Sequence, residues 1–165
     1  MKTVFFVRHA KSSWNDSSLA DINRPLNDRG ERDAPFMAKM LKNRDIEPDR
    51  ILSSPARRAL DTARYFADAF GIPPKEIEVR PEIYEALPDD LEELVRGLPD
   101  EWSTVLIFGH NPTLTSLVNH FTDEFIDNIP TCGIVQVNAK IKSWKKFEEE
   151  SARVSAFYYP KQFLV

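Results

Sequence analysis

The sequence predicts an α/β protein of three layers, with helices on both faces of a mainly parallel central sheet. Short apolar runs alternate with longer segments of helical periodicity along most of the chain, which is typical of this class. The early apolar runs are continuous, which favours strands buried on both faces of a parallel sheet. A length of 165 residues fits one domain, so we expect residues 1–165 to form a single domain.

The first elements are a strand, a long loop and a helix. Thr3 to Val7 is an apolar run rich in β-branched and aromatic residues, which predicts a buried strand. Residues 10–27 are polar, and a loop of that length tends to carry function. Asp28 to Asn43 predicts a helix with a capping-box-like start, and Pro35 inside it predicts either a late start or a kink.

The middle of the chain repeats the alternation of strand and helix. Arg50 to Ser53 predicts a second strand. Ala56 to Phe70 carries the clearest apolar stripe of the sequence, and Gly71 predicts the end of that helix. Ile77 to Val79 predicts a third strand, and a short helix is expected at about residues 90–97.

The last elements close the sheet. Thr104 to Phe108 predicts a fourth buried strand, and Pro112 lies where the first turn of the next helix is expected. Residues 134–139 and 154–159 predict two late strands joined by a turn. This closing pair favours an antiparallel strand in the otherwise parallel sheet.

Composition limits the partners and the compartment. A formal net charge of −4 argues against a large basic face for nucleic acid. The single cysteine, Cys132, allows no intrachain disulfide, which is compatible with a reducing compartment. The apolar N-terminal run ends at Arg8 and is too short for a signal peptide or a membrane span. We therefore expect a cytoplasmic protein that binds neither nucleic acid nor membrane.

Basic residues follow three of the predicted strands. Arg8 and His9 come directly after the first strand, Arg58 lies at the start of the helix after the second, and His110 follows the fourth. Because ligands of open α/β sheets bind beyond the carboxyl ends of the strands, we expect these side chains to meet at one edge. Two guanidinium groups match the oxygens of a phosphoryl group, so the sequence predicts a phosphoryl-binding site.

The two histidines suggest how such a site would work. Positive charge nearby disfavours protonated imidazole, so His9 would stay neutral and could attack phosphorus to form a covalent phosphohistidine. His110 would donate hydrogen bonds to the equatorial oxygens in the transition state. Glu85, which follows the third strand, is expected to protonate an ester leaving group and then to activate water.

The motifs that carry this chemistry also resemble a known family. They are Val7-Arg8-His9-Ala10, Ser13-Trp14-Asn15, the segment Arg24 to Gly30, Ser53-Ser54-Pro55 with Arg58-Ala59 and Thr62-Ala63, and Gly109-His110-Asn111-Pro112. Together, and in this order over residues 3 to about 120, they resemble the histidine phosphatase superfamily, whose fold is that of phosphoglycerate mutase. Two features depart from the family pattern: Ala10 replaces the usual glycine, and Glu85 lacks the glycine- and tryptophan-containing stretch that often follows the acid.

The resemblance assigns roles to individual residues. It implies His9 as the phospho-acceptor, and Arg8, Arg58 and His110 as the phosphate pocket. It matches Asn15 to a position that often contacts phosphate, and Glu85 to the acid. Arg58, rather than Arg57, fits the family spacing after the serine.

Chain length indicates the subgroup. Only 26 residues separate Arg58 from Glu85, and 24 separate Glu85 from His110, which leaves little room for an inserted cap. The short form is similar to SixA-type phosphohistidine phosphatases. We therefore expect a phosphatase with an open pocket, acting on a phosphorylated small molecule or a phosphorylated protein side chain.

Two other functions remain open at this point. A cofactor-dependent phosphomutase would have to retain its phosphoenzyme and donate the group back, and the missing cap argues against it. A non-catalytic phosphate-binding module would bind phosphate in the same pocket but would release no phosphate from any substrate.

No group of histidines or carboxylates has metal-ligand spacing, so we expect no metal and no cofactor. His120, beside Phe121, and Cys132 are expected to be structural.

Overall fold

The computed structural model describes residues 1–164 and has the α/β architecture that the sequence predicts. The strands are β1 (Lys2–Arg8), β2 (Arg50–Ser53), β3 (Glu78–Val79), β4 (Thr104–Gly109), β5 (Ile134–Ala139) and β6 (Ala152–Tyr158). The α-helices are α1 (Asp28–Lys42), α2 (Arg57–Phe70), α3 (Pro88–Arg96) and α4 (Thr113–Val118). Short 3₁₀ turns connect several of them.

Across residues 1–164, six strands form one sheet in the order β3-β2-β4-β1-β5-β6. The pairs β1–β4, β2–β4 and β2–β3 are parallel, whereas β1–β5 and β5–β6 are antiparallel. The mainly parallel sheet with an antiparallel closing strand is therefore confirmed. β5 lies directly beside β1, so the loop that leads into β5 reaches the carboxyl end of β1.

The sheet separates two hydrophobic cores, which confirms the three layers. Alternate side chains of β1 enter opposite cores, because successive residues of a strand point to opposite faces. Phe5 and Val7 pack with residues of α1 and α2, such as Met37 and Phe66. Val4 and Phe6 pack on the other face with apolar residues of α3 and α4. All the β1 side chains named here are buried.

The helix ends largely follow the sequence signals. α1 begins at Asp28, but its cap is the preceding Asn27, whose side-chain oxygen accepts the N–H of Gly30 at 2.9 Å. The helix continues through Pro35. α2 ends at Gly71, which adopts the left-handed conformation with φ 71°. Within residues 1–164, no helix is both long and apolar enough to cross a membrane.

Candidate active site

Strand register brings the two predicted histidines together. Arg8 of β1 is paired with Gly109 of β4, so the residues that follow them leave the sheet side by side. The His9 N–H donates to the Gly109 carbonyl at 3.1 Å. The imidazole ring centroids of His9 and His110 are 5.2 Å apart, with the rings tilted by 54°. Two residues that are 101 positions apart in sequence thus become direct neighbours.

The His9 ring is held in one tautomer. Its Nδ1 lies 2.8 Å from the Ala10 carbonyl oxygen, which can only accept, so Nδ1 carries the proton and Nε2 keeps its lone pair. Burial lowers the pKa of His9 to about 3, and the charges of His110, Arg58 and Arg8 act in the same direction. His9 is therefore neutral at neutral pH, with a nucleophilic Nε2.

Arg58 is the buried arginine of α2, and Arg57 is the exposed one. Arg58 is only 6% exposed, and it donates from Nη1 to the Asp21 carbonyl at 2.8 Å and from Nη2 to the Asp21 Oδ2 at 3.0 Å. The Arg57 side chain is 58% exposed and forms an ion pair with Asp61. Of the two arginines, Arg58 is therefore the one that lies inside the fold, and Arg57 lies at its surface.

Arg8 and His110 complete a group of buried polar atoms at this end of the sheet. Arg8 donates from Nη1 to the Ile129 carbonyl at 2.8 Å, and His110 Nε2 lies 2.8 Å from Ser54 Oγ. Burial and the charge of Arg58 lower the pKa of His110 to about 4, against an opposing effect of the Asp21 carboxylate. The ring is therefore neutral at neutral pH.

Three nitrogen atoms of this group have no hydrogen-bond partner among residues 1–164. They are Nε of Arg8, Nε of Arg58 and Nδ1 of His110. Buried polar atoms are normally paired, and an unpaired one is costly. Two guanidinium N–H groups and an imidazole nitrogen are thus available to an anion with several oxygen acceptors, such as a phosphoryl group.

Backbone contacts from the segment before β5 hold Arg8, the last residue of β1, and His9, which follows it. The N–H of Cys132 lies 3.0 Å from both the Arg8 and the His9 carbonyl oxygens. Cys132 has a left-handed backbone with φ 61°, and its side chain is fully buried. Burial raises the pKa of this thiol, so it stays protonated as a core residue. Sequence reasoning expected a structural cysteine, and no sequence signal indicated the backbone contact.

Asp21 is the residue of the site that sequence reasoning missed. Besides Arg58, it accepts a hydrogen bond from the Tyr84 hydroxyl at 2.6 Å and from Arg24 Nε at 3.0 Å. The Tyr84 hydrogen bond, followed by those of Arg58 and Arg24, holds the pKa of the Asp21 carboxyl well below its usual range. In the sequence, Asp21 is one more acidic residue of a polar loop, and no local signal distinguishes it from Asp16.

Glu85 lies at a cavity next to His110. The cavity has a volume of about 300 Å³ and is lined by Asp21, Ile83, Tyr84, Glu85, Ala86, His110, Asn111, Pro112 and Thr113. The Glu85 side chain is exposed, and its backbone is left-handed with φ 60°. The structure thus brings Glu85 to the site region, although not into the buried cluster around His9.

Asn15 is the predicted phosphate-binding residue that the structure does not bring to this cluster. Its N–H donates to Ser13 Oγ at 3.0 Å in a local turn, and its side chain is exposed. It lines a separate cavity together with Ser13, residues 25–27 and Arg29. An Asn15 contact with phosphate therefore stays a prediction.

The remaining candidates lie outside the site. The ring of His120, the third histidine, packs against that of Phe121 with centroids 6.3 Å apart. In the part of the chain that the structure describes, no group of three or more His, Cys, Asp or Glu side chains is arranged to hold a metal ion.

Comparison with known proteins gives the family. The sequence model of the histidine phosphatase superfamily (branch 1) matches residues 4–97, which is more than half of the chain. This chain belongs to the histidine phosphatase superfamily. An uncharacterized protein of Mycobacterium leprae is 30% identical over 167 residues and spans 94% of this chain and 100% of its own length. The expected family and its phosphatase class of enzyme are thereby confirmed.

SixA proteins are among the relatives of this superfamily member. The phosphohistidine phosphatase SixA of Escherichia coli is 32% identical over 117 residues, which cover 70% of this chain and 71% of that protein. A candidate phosphohistidine phosphatase SixA from Agrobacterium tumefaciens has a structure with a TM-score of 0.81 and 28% identity, covering 96% and 98% of the two chains. The protein histidine phosphatase SixA complexed with tungstate matches with a TM-score of 0.81 and 25% identity, covering 97% and 98%.

Proposed function

We propose that this protein is a metal-independent phosphatase that transfers a phosphoryl group first to His9 and then to water. One observation carries the proposal: the His9 ring is fixed by its Nδ1 contact with Ala10, beside three unpartnered nitrogen atoms of Arg8, Arg58 and His110. A nucleophile with a free lone pair and donors for the developing charge are the two requirements of covalent phosphoryl transfer.

In the first step, His9 Nε2 attacks phosphorus, and the bond from phosphorus to the leaving group breaks. Arg8, Arg58 and His110 bind the non-bridging oxygens, where charge accumulates in the transition state. Because their binding atoms are already positioned and largely desolvated, little reorganisation is needed during the reaction. In the second step, water attacks the phosphohistidine and inorganic phosphate leaves, which returns His9 to its neutral form.

The leaving group decides whether an acid is needed. An ester oxygen must take up a proton as it leaves, and Glu85, at the cavity next to His110, can supply it. The same carboxylate then accepts a proton from the attacking water. An imidazole that leaves from phosphohistidine can already carry its proton, so Glu85 matters less for that substrate.

We propose that the substrate is a phosphomonoester or a phosphohistidine side chain of a protein. Similarity to proteins named phosphohistidine phosphatase SixA supports the second choice. One such relative binds tungstate, a tetrahedral oxyanion that resembles phosphate. The cytoplasmic location that the composition favours stays a prediction.

A substrate screen tests this function. Phosphate release would be measured with aryl phosphates, sugar phosphates and a phosphohistidine-containing protein, each with and without a metal chelator. We expect turnover that the chelator leaves unchanged, loss of turnover in His9→Ala, and normal turnover in His120→Ala, which removes a histidine outside the site. Full activity of His9→Ala, or phosphate binding without any release, would contradict the proposal.

A further inference from the structure

We propose that Asp21 selects substrates by charge: its carboxylate disfavours leaving groups that carry a second negative charge and favours neutral or cationic ones. The inference rests on the proposed phosphatase activity at His9 and goes beyond it, because it concerns what is attached to the phosphoryl group.

Three side chains hold the Asp21 carboxylate in place. Its Oδ2 accepts from Tyr84 at 2.6 Å and from Arg58 at 3.0 Å, and its Oδ1 accepts from Arg24 at 3.0 Å. These contacts come from three different parts of the chain. Because both of its oxygens are hydrogen-bonded, the carboxylate has a fixed position, and so does its negative charge.

The charge of Asp21 is permanent at physiological pH. The hydrogen bonds from Tyr84 and the two arginines hold the pKa of its carboxyl well below the usual range, so it stays ionised. Its side chain is nevertheless 48% exposed. A group bound in front of it is therefore exposed to a negative charge that proton uptake does not remove.

Asp21 borders the cavity that a leaving group would occupy. An in-line displacement by His9 requires the leaving group on the opposite side of phosphorus. The cavity of about 300 Å³ beside His110 is lined by both Asp21 and Glu85 and, within residues 1–164, by no lysine or arginine. The site is thus polarised: its phosphoryl half is basic, and its leaving-group half is acidic.

The size of the effect follows from Coulomb's law. A unit charge about 4–5 Å from another in a water-like medium changes an equilibrium about fivefold. Arg58 and Arg24 offset part of the Asp21 charge, so we expect a selectivity change of about two- to fourfold. Cationic leaving groups, such as a protonated imidazole or an ammonium group, are attracted by the Asp21 carboxylate instead of being repelled.

The test uses two aryl phosphates of matched shape. In para-carboxyphenyl phosphate the leaving group is anionic, and in its methyl ester it is neutral. For each enzyme, kcat/KM is measured with both compounds and the anionic-to-neutral ratio is taken. The ratio cancels effects on phosphoryl binding, which both compounds share, and reports how the charges around Asp21 act on the leaving group.

We expect Asp21→Asn to raise this ratio about two- to fourfold. The matched control is Asp16→Asn, which removes an exposed aspartate of the same loop that hydrogen-bonds only to Ser18, and it should leave the ratio unchanged. An unchanged ratio in Asp21→Asn, or an equal rise in Asp16→Asn, would overturn the proposal.

If the protein releases phosphate from neither compound, the proposed function itself fails; normal turnover with unchanged ratios refutes only charge selection.

Discussion

Thr62 Oγ1 accepts a hydrogen bond from the backbone N–H of Ala10 at 3.0 Å. Ala10 is the residue whose carbonyl fixes the His9 ring, and the same Thr62 hydroxyl donates to the Arg58 carbonyl at 2.7 Å. A fully buried hydroxyl of α2 therefore connects the loop that holds the nucleophile to the helix that holds the arginine. This contact makes Thr62 a positioning residue.

Replacing Thr62 with valine should lower kcat more than it raises KM. The change keeps the side-chain shape but leaves the Ala10 N–H without its partner, at a cost of about 1–3 kcal/mol in stability. We expect kcat for para-nitrophenyl phosphate to fall about tenfold, because a nucleophile that is misplaced attacks less often. Thr62→Ser, which restores the hydroxyl, should recover most of kcat. Equal activity of the valine and serine variants would remove the positioning role.

The two adjacent arginines of α2 should behave differently. Arg58→Ala should lower kcat/KM for an aryl phosphate about ten- to a hundredfold, because a charge-assisted hydrogen bond is worth about 1.5–3 kcal/mol. Arg57→Ala removes only an exposed ion pair with Asp61, so we expect a change of less than about twofold. Steady-state kinetics of the two variants measure the difference. Comparable losses in both would contradict the assignment of Arg58.

Acid should destabilise the fold through its two buried histidines. The pKa of His9 is about 3 and that of His110 about 4, whereas both should titrate near 6.5 when unfolded. The unfolded chain therefore binds more protons as the pH falls below that value, and folding loses stability. Between about pH 7 and pH 5, each histidine should reduce the free energy of unfolding by about 2 kcal/mol.

Urea unfolding at the two pH values tests this prediction. In His9→Asn or His110→Asn, the stability difference between the two pH values should be about 2 kcal/mol smaller than in the unmodified protein. Other titrating groups contribute equally to both proteins and cancel in the comparison. A pH dependence that is the same with and without His9 or His110 would show that the fold does not lower the pKa of these rings.

Glu85 should matter for esters more than for phosphohistidine. Glu85→Gln keeps the size of the side chain and removes the proton donor, so ester hydrolysis should slow by about a hundredfold. Hydrolysis of a phosphohistidine protein should slow far less, since imidazole can leave already protonated. The measurement is the ratio of kcat values for the two substrates. Equal slowing of the two reactions would show that Glu85 does not act on the leaving group.

Much of the fold could be predicted because its signals are local. Continuous apolar runs marked the buried strands, and the stripe of α2 with Gly71 marked that helix to within one residue. Pro35 left the start of α1 open in the sequence, and in the fold the helix begins at Asp28, with Asn27 as its cap. The position of β5 beside β1 depends on tertiary pairing, which local sequence does not encode.

The residues of the site also fall into two groups: those that local sequence predicted and those that depend on tertiary contacts. Arg8, His9 and His110 follow parallel strands, so the rule that strand ends meet at one edge was sufficient to bring them together. Asp21 could not be predicted, because its role depends on Arg58 and Tyr84, which are far away in sequence. Asn15 was expected near phosphate by resemblance alone, and the hydrogen bond that its backbone forms is local, to Ser13, so its role stays a prediction.

Rapid quenching during turnover tests the covalent mechanism most directly. The protein is mixed with a radiolabelled substrate and stopped within milliseconds, and the bound label is located by peptide mapping under alkaline conditions, which preserve phosphohistidine. The account predicts transient, acid-labile label on His9 that decays at the rate of phosphate release, and no label in His9→Ala. Turnover with no label on His9, or label on another residue, would contradict it.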